Sequence, residues 1–585
     1  MEHGTAAGGR RVRVAITAAV FAWSFLAFWP ALAAGFVDWD DAPGLLHNPD
    51  FRGLDGDALG WMFTTFHGGH YQPLTWLTFA VDHAVWGMTP RGYHLQNLLW
   101  HAVAAALLFA VARRVFLLAG LTTGACLGAG LAALLFGVHP LRVESVVWVT
   151  ERRDVLSAAT LLAAVLVYLR RDGRPSGWLV LWFGLSLMSK AWGMTLPLVL
   201  LLLDHYPLRR TAEPGAWGRL IREKLPLFAL ALAAAWLASR AQLSTGASPG
   251  LDVHGVAQRA AQAAYGLCFY PLASIWPSGL SPVYPLRWGF DPWQPVYIWS
   301  AAAALTALVL AYRVRRCCPA ITASVFVYAV VVSPVLGVLQ TGPQLVADRY
   351  SYLSCMSLAL LAAGAWARWF EVSPRPRRLA LSAAALAALV FATSLTVRQS
   401  MVWHDSVTLW QRAVAVDPGD PEAHYRLGRA LLERRDDDPA ALAEAHAVLQ
   451  RASTLFDQLD SWQSEFEDDA AVALAWCVLF VEERSGQPRR VLVRRQFEQV
   501  AARWPDSGPA HAGLGIAFGV EGRLAEAVTA LRRAVQLDPT LAEAHFNLGR
   551  LYAANGHTEL ARQHLQEALR LQPGNAAARE LLSQL

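Results

Sequence analysis

Long apolar segments recur through the first two thirds of the chain, and this recurrence limits its fold more than any other feature of the sequence. A membrane span needs roughly 20 mainly apolar residues, because only a helix satisfies its own backbone hydrogen bonds in hydrocarbon. Eleven candidate segments precede residue 398. They lie near 14–35, 95–112, 116–137, 155–170, 176–190, 193–204, 225–239, 296–312, 320–340, 351–367 and 379–397. The sequence therefore predicts a polytopic, all-α transmembrane module over residues 1–397.

Clusters of arginine between the apolar segments predict the orientation of this module. If the eleven spans alternate, all the clusters fall on one side, which the positive-inside rule makes cytoplasmic. The N-terminus is then cytoplasmic, and the region after residue 397 lies outside, in the periplasm or extracellular space. Segment 259–276 is interpreted as an interfacial or re-entrant helix, because counting it as a span would move Arg313 to the outside. The formal charge of +5 does not indicate nucleic-acid binding, because the basic residues are dispersed in these short loops.

The C-terminal region, residues 398–585, carries a repeat with a fixed period. Pro505, Pro539 and Pro573 are spaced 34 residues apart, which is the period of the tetratricopeptide (TPR) repeat. About four repeats are predicted, of which the last two, over 508–573, are the most regular. Each repeat pairs two helices and leaves a concave surface for a protein or peptide partner. A structural spacer or a dimerisation surface is the alternative interpretation.

Residues suited to chemistry collect in the predicted outer loops, and the first of these, 36–94, is the longest. Asp40 and Asp41 follow the first span directly. A carboxylate beside apolar walls can be desolvated until it serves as a general base for a hydroxyl. Adjacent side chains point in different directions, so we expect one of the two to act. His70 and Tyr71, farther along the loop, are candidate substrate-binding residues. A solvated turn is the alternative for the acidic pair.

The second and fourth outer loops add charged candidates. Glu144 and Arg152 belong to the second loop, 139–154, which on a continuous helix would place Glu144, Glu151 and Asp154 on one face. The fourth loop contains three more candidate substrate-binding residues, listed in order: Asp348, Arg349 and Tyr350. The planar guanidinium of an arginine is suited to a phosphate, and a structural ion pair is the alternative. The cysteine and histidine spacings indicate no metal site or cofactor, although a divalent metal stays possible.

Taken in order, these stretches resemble a known family, the transmembrane-and-TPR O-mannosyltransferase-like proteins of the GT-C glycosyltransferase class. The stretches that carry the resemblance are Val37 to Asp50, Tyr71 to Trp76, Tyr93 to Leu98, His139 to Glu144, Glu151 to Asp154, Leu196 to Asp204, Ala347 to Tyr350 and Trp403 to Asp405. Their order, followed by TPRs, is specific, although each piece alone is weak.

The resemblance implies transfer of a sugar from a polyprenyl-phosphate donor to an acceptor, such as a protein hydroxyl, at the outer face of the membrane. It also implies inversion at the anomeric carbon, with the first-loop acidic pair, Asp40 and Asp41, supplying the base. Arg152 and Arg349 are the cations expected beside the leaving phosphate. The Ala-, Leu- and Arg-rich composition indicates a bacterial inner membrane protein. The alternative function is a non-catalytic scaffold, anchored by the spans and recruiting proteins through the TPRs.

Overall fold

The computed structural model describes residues 2–244, 254–287, 289–338, 342–434, 438–458, 466–484 and 490–585. The predicted all-α fold is confirmed: these residues form helices and a single isolated β-bridge, between Pro285 and Gln344. The chain divides into two compact units, residues 1–409 and 410–585. The sequence placed the boundary at residue 397, inside the last long helix of the first unit.

The first unit contains sixteen complete α-helices among its described residues, joined by loops and short 3-10 or π turns. They are α1 (Glu2–Leu26), α2 (Gly56–Thr64), α3 (Pro73–Trp86), α4 (Pro90–Leu118), α5 (Ala125–Gly137), α6 (Val143–Val147), α7 (Arg152–Arg170), α8 (Gly177–Ser189), α9 (Leu196–His205), α10 (Ala216–Leu243), α11 (Val256–Ile275), α12 (Pro295–Arg313), α13 (Pro319–Val332), α14 (Ser351–Ser354), α15 (Met356–Val372) and α16 (Arg375–Val402).

Three of these helices, α4, α12 and α16, are long and apolar enough to cross a membrane, within the described residues. Two bent pairs raise this number to as many as five if each is one broken span: α5 with the segment Pro140–Val147, and Asp348–Ser354 with α15. The bends are 57° and 56°. The figure of eleven spans stays a prediction, because several of the predicted segments form shorter apolar helices here. Segment 259–276 lies almost wholly within α11.

Helix α4 lies at the centre of the first unit, where α1, α5 and α7 pack against it. Helix α5 also packs against α15 through small residues. A Cβ added at Gly128 would lie 2.5 Å from the Cβ of Ala367, and one at Gly124 would lie 2.7 Å from the Ala367 carbonyl oxygen. The two glycines therefore allow a helix approach that a larger residue would prevent.

The continuous helix considered for residues 144–154 is not present. The chain forms α6, becomes extended at Trp148, makes a 3-10 turn over Val149–Glu151 and only then begins α7. Carbonyl groups freed by this break need other donors. The Asn97 side-chain amide supplies them, donating to the carbonyl oxygens of Val146 (3.3 Å) and Trp148 (3.2 Å). Glu144 and Glu151 thus lie on two separate short helical segments rather than on one helical face.

The second unit is a stack of antiparallel helix pairs. Helix α17 (Ser406–Val416) crosses the division between the units. The remaining helices are α18 (Pro421–Glu433), α19 (Pro439–Phe456), α20 (Glu467–Arg484), α21 (Arg490–Arg503), α22 (Gly508–Val520), α23 (Leu524–Leu537), α24 (Ala542–Ala554), α25 (Thr558–Leu571) and α26 (Ala576–Ser583). From α18 to α26, each helix packs against the next in sequence. This arrangement gives four pairs followed by a final single helix, as expected of an α-solenoid.

Candidate active site

Asp41 is buried at the end of the first loop's opening turn, and its carboxylate is already engaged. One oxygen accepts a hydrogen bond from the Val37 backbone N–H (3.1 Å). The other accepts from the backbone N–H and the hydroxyl of Thr150, at 3.0 and 2.5 Å. Burial raises the pKa of Asp41 to about 6, although these hydrogen bonds oppose the rise. Asp41 therefore joins the first and second loops.

Asp40 occupies a different environment, being half-buried where Asp41 is fully buried. Its charge acts on two neighbours. It contributes to the raised pKa of Asp41, after burial. Burial lowers the pKa of the Arg153 guanidinium, but Glu151, and after it Asp40, raise that pKa above its ordinary value. The structure thus separates the acidic pair, with Asp40 as the partly accessible member near Arg153.

Glu151 is the centre of a buried network of charges. Arg153 donates to its two oxygens at 2.6 and 3.1 Å. The Lys190 ammonium donates to Glu151 at 2.9 Å and to Asp154 at 2.6 Å. The Arg349 Nε lies 3.5 Å from the Glu151 carboxylate. Burial opposes ionisation of Glu151, but Arg153, Lys190 and Arg349 hold its pKa well below the usual range.

Arg349 extends this network to Glu144, one of the predicted site residues. The Arg349 backbone N–H donates to a Glu144 oxygen at 2.7 Å, and its guanidinium forms an ion pair with the same carboxylate. The neighbouring Asp348 is buried and accepts a hydrogen bond from the Tyr284 hydroxyl at 2.9 Å. Tyr350 is also buried, and its hydroxyl accepts from the Gln344 amide at 2.6 Å. The predicted second and fourth outer loops therefore meet at Glu144 and Arg349.

Arg152, which the sequence interpretation expected beside a phosphate, does not join this group. Its side chain is fully buried and forms an ion pair with Asp82. It also donates to the Asn97 side-chain oxygen and the Tyr93 carbonyl, both at 2.8 Å, and its guanidinium lies 4.4 Å from the centre of the Phe79 ring. These contacts occupy the guanidinium, so Arg152 holds α3, α4 and α7 together.

A cavity of about 260 Å³ opens beside the charge network. Its polar end is formed by His70, Tyr71, Arg153 and Lys190, and its other walls are apolar side chains of α8 and α10, such as Leu187. Burial, followed by Arg153 and Lys190, lowers the pKa of His70 well below its ordinary value. The imidazole is therefore neutral at pH 7 and adds no charge to the cavity.

The structure thus brings together most of the predicted site residues and reveals others. Arg153 and Lys190 are the cations beside the cavity, whereas the sequence interpretation had selected Arg152. A compositional signal marks Lys190: the chain has 50 lysine and arginine residues, of which only Lys190 and Lys224 are lysines. Within the described residues, no group of three or more His, Cys, Asp or Glu side chains is arranged to hold a metal ion.

Three family models match the second unit. A TPR repeat model matches residues 520–556, and two further tetratricopeptide repeat models match 542–575 and 403–455. The predicted TPR repeats are therefore confirmed.

Several curated relatives carry the same printed name, protein O-mannosyl-transferase. Tmtc1 of Drosophila melanogaster is 34% identical over 177 residues, covering 29% of this chain and 20% of its own length. TMTC3 of Homo sapiens is 31% identical over 170 residues, covering 27% of this chain and 17% of its own length. F38B6.6 of Caenorhabditis elegans is 22% identical over 451 residues, covering 74% of this chain and 61% of its own length. The predicted family resemblance is confirmed. The matched stretches of the insect and human relatives are about a fifth of those proteins' length.

Two solved TPR structures each cover about a third of this chain. A thermophilic TPR protein of Thermus thermophilus, TTC0263, is 20% identical and covers 34% of this chain and 94% of its own, with a TM-score of 0.26. YrrB, described as a TPR protein with an unusual peptide-binding site, is also 20% identical, covering 31% and 82% at a TM-score of 0.21.

Proposed function

We propose that the protein is a membrane glycosyltransferase that transfers a sugar from a polyprenyl-phosphate donor to a protein hydroxyl, with inversion at the anomeric carbon. The observation that carries the proposal is the cavity between Arg153, Lys190 and the apolar helices α8 and α10. Its polar end matches the phosphate of a lipid-linked sugar, and its apolar walls match the polyprenyl chain. The name shared by the curated relatives supports a protein acceptor and makes mannose the first sugar to test.

The donor phosphate is proposed to bind at the polar end of the cavity. Lys190 has 16% of its side chain exposed, and Arg153 also lines the cavity. Both cations are held in place by Glu151, so they are oriented before a ligand arrives, which lowers the cost of ordering them. The neutral His70 beside them offers a ring nitrogen for a hydrogen bond. The polyprenyl chain is proposed to extend along α8 and α10, beside Leu187 and Leu230.

The proposed reaction is a single displacement with Asp40 as general base. Asp40 takes the proton of the acceptor hydroxyl, whose oxygen forms a bond to the anomeric carbon as the bond to the phosphate oxygen breaks. The electron pair of that bond leaves with the polyprenyl phosphate, whose extra charge Arg153 and Lys190 stabilise. Asp41, which the sequence interpretation paired with Asp40, is proposed to position the loop through Thr150. Arg349 is proposed to act through Glu151 and Glu144 rather than on the phosphate.

The TPR unit is proposed to bind the acceptor protein on its concave surface. TPR repeats suggest protein interaction, and an acceptor held there would reach the transfer site at high effective concentration. We place the protein in a bacterial inner membrane, with the N-terminus in the cytoplasm and the repeats outside, as the arginine clusters indicate.

One observation favours the alternative, a non-catalytic TPR scaffold. Arg153, Lys190 and Arg349 each pair with carboxylates of the same chain, and a purely structural network has this property. A scaffold would depend on the repeat surface near Asn547 and would not depend on Asp40.

The test is transfer of radiolabelled mannose from total polyprenyl-phosphate lipids to protein, in membranes containing wild-type or Asp40→Asn protein. We expect Asp40→Asn to lower transfer by at least about a hundredfold, the contribution typical of a general base. Lys190→Gln should lower transfer and weaken donor binding. Asp50→Asn is the matched control, because Asp50 is an exposed carboxylate of the same loop, and it should leave transfer unchanged.

The outcome decides between the two functions. Equal labelling by wild-type and Asp40→Asn proteins, at equal protein levels, would contradict the glycosyltransferase proposal. If an Asn547→Ala variant then lost cellular function while Asp40→Asn kept it, the scaffold would be supported.

A further inference from the structure

A second cleft lies at the far end of α7, the helix whose first turn carries Arg153 of the candidate active site. Its volume is about 730 Å³, and α1, α4 and α7 line it. Helix α4 forms the floor, since α1 and α7 both pack against it. Four arginines line the cleft, namely Arg13 of α1, Arg113 and Arg114 of α4, and Arg170 of α7. Three separate helices thus direct guanidinium groups at one space.

The cleft is strongly positive. Arg114 is held by the Leu169 carbonyl (3.2 Å) and by Asp172 (2.5 Å). Among the described side chains, no carboxylate lies within ion-pair distance of Arg13, Arg113 or Arg170. These three charges differ from Arg153 and Arg349 at the other end, where each cation has a carboxylate partner. Like charges brought together without partners repel one another and favour an anion between them.

The cleft lies at the depth expected of the opposite membrane surface. Helix α7 begins at Arg152, beside the candidate active site, and ends at Arg170, beside the cleft. Its 19 residues span about 28 Å at 1.5 Å per residue. This length is close to the roughly 30 Å thickness of a bilayer's hydrocarbon core. The walls between the arginines and the middle of the helices are apolar, with Phe21 and Leu166 among them.

We infer that this arginine cleft binds the headgroup of an anionic phospholipid in the leaflet opposite the candidate active site. The arginines contact the lipid phosphate, and an acyl chain lies along the apolar wall formed by Phe21 and Leu166. Basic pockets between transmembrane helices are suited to lipids that carry more than one phosphate, such as cardiolipin. The bound lipid would bridge α1 to α7, both of which pack against α4.

The apolar wall distinguishes a lipid from a free anion. Inorganic phosphate or pyrophosphate satisfies the guanidinium groups but makes no contact with the apolar wall beside Phe21 and Leu166. A phospholipid satisfies both parts of the cleft, because its chain covers the apolar wall while its headgroup meets the arginines. This inference does not depend on the proposed glycosyltransferase activity, since none of its residues lines the cavity at the other end.

The test is native mass spectrometry of the full-length protein in detergent micelles containing cardiolipin or phosphatidylcholine. The variant is the triple substitution Arg13→Gln/Arg113→Gln/Arg170→Gln. The matched control is Arg313→Gln/Arg375→Gln/Arg377→Gln, which removes the same charge from exposed positions outside the cleft. We expect wild type and control to retain cardiolipin in preference to phosphatidylcholine. The cleft variant should bind cardiolipin on the order of tenfold more weakly or worse, since each basic residue near a membrane surface adds appreciably to affinity.

Two further measurements complete the test. Arg→Lys substitutions at the same three positions keep the charge and should keep most of the binding, which separates loss of binding from loss of folding. Pyrophosphate added to the wild type should not displace cardiolipin at equal concentration. Equal cardiolipin binding by the cleft and control variants would overturn the inference, as would equal retention of phosphatidylcholine by the wild type. Displacement by pyrophosphate would assign the cleft to free anions instead.

Discussion

The first unit buries a network of charges drawn from distant parts of the sequence, whereas the repeats also contain exposed ion pairs between residues that are close in sequence. Glu151 is inaccessible to solvent and pairs with Lys190 and Arg349. In the repeats, Arg523 pairs with Glu526 one helical turn away, with side chains 40% and 48% exposed. Desolvation makes a buried charge costly unless it is paired, while an exposed pair contributes little. We therefore expect charge pairs to contribute more to the stability of the first unit than to that of the second.

The largest effect expected from this comparison is that of Glu151→Gln. The substitution removes the charge of the one carboxylate that Arg153, Lys190 and Arg349 share in a buried site, and losing one member of such a group typically costs about 3–5 kcal/mol. Hydrogen exchange of peptides from α7 should rise accordingly, while exchange in the repeats stays unchanged. A change no larger than that of an exposed glutamate variant would contradict the assignment of Glu151 as the centre of the network.

The pH dependence of the first unit should reveal Asp41. Its pKa in the folded protein is about 6, above the ordinary 3.8, so the folded state binds the proton more tightly than the unfolded state. This contribution to stability is complete below pH 3.8 and is lost as pH rises through 6, a change of about 3 kcal/mol at most. Asp41→Asn should remove it.

The readout for Asp41 must be local, because burial also raises the pKa of Asp420 in the second unit to about 6. Hydrogen exchange of peptides from the first loop is measured at several pH values, and each rate is corrected for the intrinsic exchange rate at that pH. This local measurement separates Asp41 from Asp420. Equal pH dependence in wild type and Asp41→Asn would show that Asp41 is not the titrating group.

In the repeats, glycine packing should matter more than charge. A Cβ at Gly515 would lie 2.6 Å from Leu531 Cγ, and one at Gly549 would lie 2.7 Å from Leu565 Cγ. We expect Gly515→Ala and Gly549→Ala each to destabilise their repeats by roughly 1–3 kcal/mol, as overpacking does. Gly574→Ala is the control, because nothing lies within 4 Å of its added Cβ. Hydrogen exchange in α22–α25 measures the effect, and equal exchange in all three variants would refute it.

The smallest effect is expected at the exposed pairs of the second unit. Glu526→Gln breaks the ion pair with Arg523, but both groups remain solvated, so repeat stability should not change measurably. The same hydrogen-exchange measurement applies. A clear loss of protection in α23 would show that local charges stabilise the repeats and would remove the contrast between the units.

Much of this organisation can be predicted from the sequence, because periodic patterns act locally. Apolar segments indicate helices for the first unit, and the 34-residue spacing of Pro505, Pro539 and Pro573 indicates the repeats. The likeness to the O-mannosyltransferase relatives was predicted from short motifs and their order along the chain. Such features can be seen along the linear sequence without knowing which distant residues meet in the folded chain.

Tertiary structure alone decided which residues of those motifs meet. Arg152 and Arg153 are adjacent, yet one faces Asp82 and the other faces Glu151. The helical period misplaced Glu144 relative to Glu151, because the chain breaks at Trp148 and Asn97 satisfies the freed carbonyls. Each of these choices depends on a partner far away in sequence. The sequence by itself determined the helices, the repeats and the acidic pair; the direction of each charged side chain required the folded chain, because burial and pairing are properties of distant residues brought together.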